Sequence, residues 1–159
     1  RIPEERKAVL IGPDGKTKKL IEKKTGVRII VNDAVEIEGD VLNVMKARDI
    51  VLSIGRGFPP KIALELLKEE FMLKVITLRG RTDKAIRRTL SRIIGTRGKT
   101  RRIIESTTKT NVCVYGKTIS VIGYWTDVEN ATRAIEMLIE GRKHSYVYRF
   151  LYGCENERA

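Results

Sequence analysis

Ile86, Leu90, Ile93 and Ile94 recur at helical spacing, with Arg87, Arg88 and Arg92 falling off their stripe. Thr82 and Asp83 can cap that helix, and Gly95 can end it. Upstream, residues 71–78 are rich in strand formers. Downstream of Gly98 a second helix carries Ile103 and Ile104, and Thr107, Thr108 and Thr110 make its continuation costly. Two short strands follow at 111–115 and 118–122, joined by a turn at Gly116-Lys117. Asp127 is expected to cap a longer helix with Val128, Ala131, Ile135, Leu138 and Ile139 on one face. The predicted order is strand, helix, glycine loop, helix, strand, strand, helix.

The first half of the chain repeats that order. Helices are expected at 4–11 and 16–25, the second ended by Gly26, then a strand pair at 27–31 and 34–38. A last helix covers 41–54, with Leu42, Met45, Asp49 and Leu52 marking its period imperfectly. Glu22 matches Glu105 and Val31 matches Val114 at a separation of 83; after one residue gained in the hairpin, Gly39 matches Gly123. The opening strand of this first copy is nearly absent. Gly55-Arg56-Gly57-Phe58-Pro59-Pro60 breaks the chain between copies, and Pro60 can begin a short helix through Glu70. The expected division is therefore one domain at 1–57, a connecting helix at 58–70, and a second domain with a C-terminal tail at 71–159.

Charge changes the picture. Lys plus Arg number 32 against 20 Asp plus Glu, a net +12. Between Arg79 and Lys109 the count is 11 Lys/Arg to 2 Asp/Glu, so the local balance is 11 − 2 = +9. This concentration favours a polyanionic partner, nucleic acid ahead of an anionic membrane surface. No apolar stretch approaches the roughly 18 residues that span a bilayer, and no secretory signal is recognisable. Cys113 and Cys154 lack a CxxC partner, which argues against zinc and suits a reducing, cytoplasmic setting. His144 is the sole histidine, and no metal, nucleotide-binding or nucleophile motif occurs. No cofactor, metal or catalytic residue is expected; the chain reads as a binding protein, not an enzyme.

The candidate chemistry lies in the two glycine loops. Gly95-Thr96-Arg97-Gly98 and Gly12-Pro13-Asp14-Gly15 each join two helical patterns, 83 residues apart. Glycine at both ends lets backbone amides approach a phosphate closely. A Gly-x-x-Gly loop between helices is the signature of the KH fold, and the following strand pair and helix give the eukaryotic-style, type I order. The fold class expected is α+β, two tandem type I KH domains (β-α-α-β-β-α), the first with a short or truncated opening strand.

Nearly the whole chain resembles the archaeal KH-domain RNA-processing proteins related to eukaryotic Dim-two, also called partner of Nob-one (Pno). The resemblance is carried by Arg92-Ile93-Ile94-Gly95, Gly98-Lys99-Thr100-Arg101-Arg102-Ile103-Ile104-Glu105 and Val114-Tyr115-Gly116-Lys117-Thr118. Ala134-Ile135-Glu136-Met137-Leu138 and Val147-Tyr148-Arg149-Phe150-Leu151 complete it. It implies a ribosome-biogenesis factor that binds single-stranded RNA near the 3′ end of small-subunit rRNA. It also implies work with the Nob endonuclease and contact with the alpha subunit of translation initiation factor two. A protein-interaction scaffold and a general KH regulator of mRNA stay open as alternatives.

In the KH mode the loop clamps the backbone of about four nucleotides. The expected contacts are Gly95, Thr96, Arg97, Gly98 and Lys99, with Arg88, Arg92, Arg101 and Arg102 reaching phosphates. Ile94, Val112 and Cys113 are expected as an apolar floor for bases, although Ile94, Ile104 and Val112 suit a core equally well. Residues 79–110 contain no aromatic side chain, so base stacking on aromatics is excluded there. In the first loop Pro13 supplies no N–H and Asp14 opposes phosphate. Lys16, Lys18 and Lys19 compensate in part. That loop is expected to bind RNA weakly or to dock a protein. Trp125 is expected to pack at a helix entry, Tyr146, Tyr148, Phe150 and Tyr152 to dock the tail, and Glu22 and Glu105 to partner neighbouring arginines.

Overall fold

The computed structural model describes residues 2–158, divided between two units, Arg1–Glu69 and Glu70–Ala159. In the first, α1 (Glu4–Ile11) leads through a 3₁₀ turn (Pro13–Gly15) into α2 (Lys16–Thr25), which Gly26 ends in the left-handed conformation. Strands β1 (Arg28–Val31) and β2 (Val35–Glu38) pair antiparallel, Arg28 opposite Glu38. Helix α3 (Val41–Gly55) closes the layer, burying Ala47, Ile50 and Ile54 while Leu10, Ile21 and Ile29 are buried beneath the other elements. Burial of each leucine or isoleucine among them contributes about 1.5–3 kcal/mol.

The expected helix from Pro60 to Glu70 is shorter than its pattern. Pro60–Ala63 forms α4 and Leu64–Leu67 a 3₁₀ turn. Both lie in the first unit against α3, with Phe58, Ala63 and Leu66 buried. Among the described residues no strand precedes α1, so the sheet stops at two strands and β2 keeps one unpaired edge.

The second unit is complete. Strand β3 (Phe71–Thr77) precedes α5 (Asp83–Ile94), a 3₁₀ turn (Thr96–Gly98) and α6 (Lys99–Thr108). Strands β4 (Asn111–Tyr115) and β5 (Thr118–Tyr124) follow, then α7 (Trp125–Ile139). The sheet order is β3-β5-β4, antiparallel throughout, with Phe71 opposite Tyr124 and Thr77 opposite Thr118. As the central strand, β5 is buried from Thr118 through Gly123. Ile86, Ile93, Ile104, Ile119, Val121 and Ile135 build one core between sheet and helices. The two tandem type I units expected from the repeat are present, the first without an opening strand.

Helix α6 ends at Thr108, within the threonine run expected to make its continuation costly, and Thr107 and Thr108 donate their hydroxyls to the carbonyls of Ile103 (2.7 Å) and Ile104 (2.6 Å). Other local expectations need correction. Asp127 does not cap α7, which begins two residues earlier with Tyr124 as its extended N-cap; Asp127 sits in the first turn. Trp125 is 44% exposed instead of packed, although its amide donates to the Glu70 carbonyl at 3.0 Å. The aromatic tail is a helix, α8 (His144–Arg158), in which Val147 and Leu151 are the fully buried anchors. Tyr148 and Phe150 pack at the core margin, while Tyr146 and Tyr152 stand exposed. Among the described residues no helix is long and apolar enough to cross a membrane.

Candidate nucleic-acid interface

The Thr82 hydroxyl accepts the Ala85 amide at 3.1 Å and starts α5, whose apolar stripe buries Ile86 and Ile93. The helix ends because Gly95 adopts φ 76°, ψ 175°, a region open in practice only to glycine. Space demands glycine as well. A Cβ there would collide with the Thr100 hydroxyl and lie 2.7 Å from the Thr100 amide nitrogen. Arg97 then takes the left-handed conformation (φ 56°, ψ 28°), as does Gly98 (φ 75°, ψ 15°), and α6 begins without a side-chain cap. The result is an exposed two-residue tip, Thr96-Arg97. Uncapped amide groups at a helix start attract anions.

The same turn occurs in the first unit. Gly12 has φ 73°, ψ 177°, Asp14 φ 54°, ψ 28°, and Gly15 φ 72°, ψ 12°. A Cβ on Gly12 would meet the Thr17 hydroxyl and approach the Thr17 amide nitrogen to 3.0 Å. Backbone geometry is thus shared, and the side chains on it differ. Lys16 and Lys19 are exposed and Lys18 half-buried, while Pro13 and Asp14 occupy the exposed tip.

Packing behind the second loop is specific to it. Tyr148 on α8 shares a 2.8 Å hydrogen bond with Thr100, the residue under Gly95. His144 Nε2 lies 3.0 Å from the Arg92 carbonyl. Arg92 donates both terminal nitrogens, each at 2.5 Å, to the carbonyls of Leu138 and Arg142. A guanidinium so engaged caps the end of α7, and Arg92 is a brace for the loop's entry helix more than a free phosphate ligand. Arg102 donates to the Arg97 carbonyl at 2.6 Å and stiffens the tip.

The expected contacts therefore separate. Arg88, Thr96, Arg97, Lys99 and Arg102 are exposed on or beside the loop. Arg101 is half-buried, its Nε 4.0 Å from Glu105. Ile94 is partly exposed and available to a base. Val112 is not: at 3% exposure it faces the core with Val114. Strand alternation turns Cys113 to the opposite face of the sheet. Ile103, equivalent to Leu20, is the partly exposed apolar residue that sequence reasoning assigned only to a helix. Position 20 carries the signal, since Ile11 and Leu20 in the first unit are 37% and 40% exposed.

Glu105 lies within ion-pair reach of the neighbouring Arg101, as expected, and both glutamates have a second role. Glu105 accepts the Val112 amide at 2.9 Å and Glu22 the Ile29 amide at 2.8 Å. Each latches the second helix of its unit to the strand that follows. Among the described residues no group of His, Cys, Asp and Glu is placed to hold a metal ion.

A cleft of about 500 Å³ opens beside the second loop, lined by Arg88, Ser91, Lys99, His144 and Tyr148 together with Gly95 and Thr96.

Comparison with known proteins agrees with this architecture. The family model of the second KH domain of Pno, described as a eukaryotic type KH-domain (KH-domain type I), matches residues 4–70 and again 71–156. A KH domain-containing protein of Methanocaldococcus jannaschii is 46% identical over 167 residues, covering 99% of this chain and 72% of that protein. The crystal structure of Dim2p from Pyrococcus horikoshii is 47% identical over 96% of each chain, with a TM-score of 0.88. The a/eIF2alpha-aDim2p-rRNA complex from the same organism matches at 45% identity and a TM-score of 0.91, covering 99% of this chain and 92% of that one.

Proposed function

The chain belongs to the Pno family of eukaryotic type (type I) KH domains, and from that premise we propose that it binds single-stranded RNA in small-subunit rRNA processing. One observation carries the reading: the cationic tip Thr96-Arg97, held between two glycines ahead of an uncapped helix. The loop grips the sugar-phosphate backbone through main-chain amides, with Arg97, Lys99 and Arg102 supplying charge and Ile94 and Ile103 an apolar rest for bases. Arg101 stands beside them.

The solved complex of the Pyrococcus relative contains rRNA and a/eIF2alpha, which supports the same two partners here. The RNA target is the 3′ end of small-subunit rRNA, and the Nob endonuclease is the enzyme it assists. The chain itself acts by binding, not catalysis.

Salt titration tests this. About four neutralised phosphates give a slope of log affinity against log salt near −3, at roughly −0.7 per phosphate for single strands. An oligonucleotide from the small-subunit rRNA 3′ end is expected to bind about tenfold tighter than its scrambled sequence. A slope near zero overturns RNA binding; equal affinities overturn the 3′-end assignment.

A further inference from the structure

One wall of the cleft beside the second loop belongs to the C-terminal helix α8, which follows the β-α-α-β-β-α order. Arg88 and Ser91 of α5 form the other wall, and Gly95, Thr96 and Lys99 are common to cleft and loop. No carboxylate lines it. Four other clefts each carry at least one: Asp33, Glu129 with Glu136, Glu4, and Glu136 with Glu140. Among the described residues neither Arg88 nor Lys99 joins an ion pair, in contrast to Lys7, Arg101 and Lys117. His144 Nε2 donates to the Arg92 carbonyl, which leaves Nδ1 of the neutral ring as an acceptor, suited to a ribose hydroxyl. At about 500 Å³ the cleft has the volume of a small-ligand site, enough for one phosphate and its ribose.

The internal repeat shows that this chemistry was not inherited with the fold. At the separation of 83, Arg88, Ser91 and Arg92 correspond to Glu5, Ala8 and Val9. Lys99 and Thr100 correspond to Lys16 and Thr17, so the loop side is shared and the outer wall is not. Where the second unit has the 15-residue α8, the first has only the four-residue α4 and a 3₁₀ turn.

We propose that this cleft binds an additional phosphate of the same RNA strand, beyond the nucleotides held in the loop's groove, and that α8 is therefore part of the RNA-binding surface. The inference rests on the RNA-binding reading above. A strand gripped at Thr96 and Lys99 passes its next phosphate beside Arg88, while His144 Nδ1 accepts from the adjoining ribose hydroxyl.

The test uses the full chain with oligoribonucleotides of four and eight nucleotides cut from one small-subunit rRNA 3′-terminal sequence. Ser91→Glu places a carboxylate in the cleft without touching the loop. The same charge at Ser106, exposed near the far end of α6, is the control. Ser91→Glu is expected to cost the eight-nucleotide RNA about tenfold in affinity and to flatten its salt slope by roughly 0.7, one phosphate fewer. Four-nucleotide binding, and both RNAs with Ser106→Glu, are expected to stay within twofold of the parent. If Ser91→Glu leaves eight-nucleotide affinity and slope at parent values, the cleft is not a subsite, and the groove reading stands. Failure of the parent chain to bind either RNA removes both.

Discussion

The two glycine loops share one backbone and part company in nearly everything placed on it. Asp14 and Arg97 occupy the same left-handed position within 2° of φ (54° and 56°), and Gly12 and Gly95 cover equivalent threonines. Yet one tip is Pro-Asp and the other Thr-Arg. Pro13 removes an amide and Asp14 repels phosphate, whereas the second tip is cationic and braced from behind by Tyr148, His144 and Arg92. The apolar positions persist, with Ile11 and Leu20 exposed beside the first loop where Ile94 and Ile103 flank the second. Fold and ligand chemistry are therefore separable in this protein. Two glycines and a threonine are enough to keep the turn, and its charge is free to diverge.

The largest effect should come from the second tip. Thr96→Asp with Arg97→Asp sets two carboxylates against phosphate, and like charges so placed cost several kcal/mol, so RNA affinity should fall about a hundredfold or more. Circular dichroism should stay native, because both side chains are exposed. Retained affinity would erase the functional difference between the loops.

Glycine replacement separates geometry from chemistry. Gly95→Ala and Gly12→Ala each force a Cβ onto a threonine backbone. Both should lower unfolding free energy in urea by about 1–3 kcal/mol. Only Gly95→Ala should weaken RNA binding; an equal loss from Gly12→Ala would make the first loop a full RNA site.

The smallest change is a gain. Pro13→Arg with Asp14→Lys should restore an amide and two cations, raising affinity for a long single strand by about three- to tenfold, with a steeper salt slope. Unchanged affinity would mean that the first loop does not approach phosphate.

Much of this comparison is legible in the sequence. Ile86, Ile93 and Ile104 fall at helical spacing, and Gly26 and Gly95 sit where the helices end. What escaped notice depends on partners distant in sequence or on atypical local chemistry. Arg92 reads as a free cation until Leu138 and Arg142 come within reach, 46 and 50 residues later. Glu105 reads as the partner of Arg101, which it is, but its second role as acceptor of the Val112 amide appears only once helix and strand are packed. Tail helix α8 hid behind alternating aromatics, a period-two pattern that favours strand, while Val147 and Leu151 four residues apart carry the packing. Tyr124 is not a capping residue type, so the start of α7 at Trp125 left no local mark. Val112 illustrates the converse: an apolar residue near a binding loop is claimed first by the core.

Arg97 carries a long side chain on backbone that suits glycine or asparagine, a conformation disfavoured by roughly 1–2 kcal/mol. The fold itself holds that conformation, through the flanking glycines and the Arg102 hydrogen bond to the Arg97 carbonyl. An incoming nucleotide chain thus meets a finished socket and orders little protein on arrival, so encounter should be limited by diffusion and charge, and selectivity should reside in how long each complex lasts.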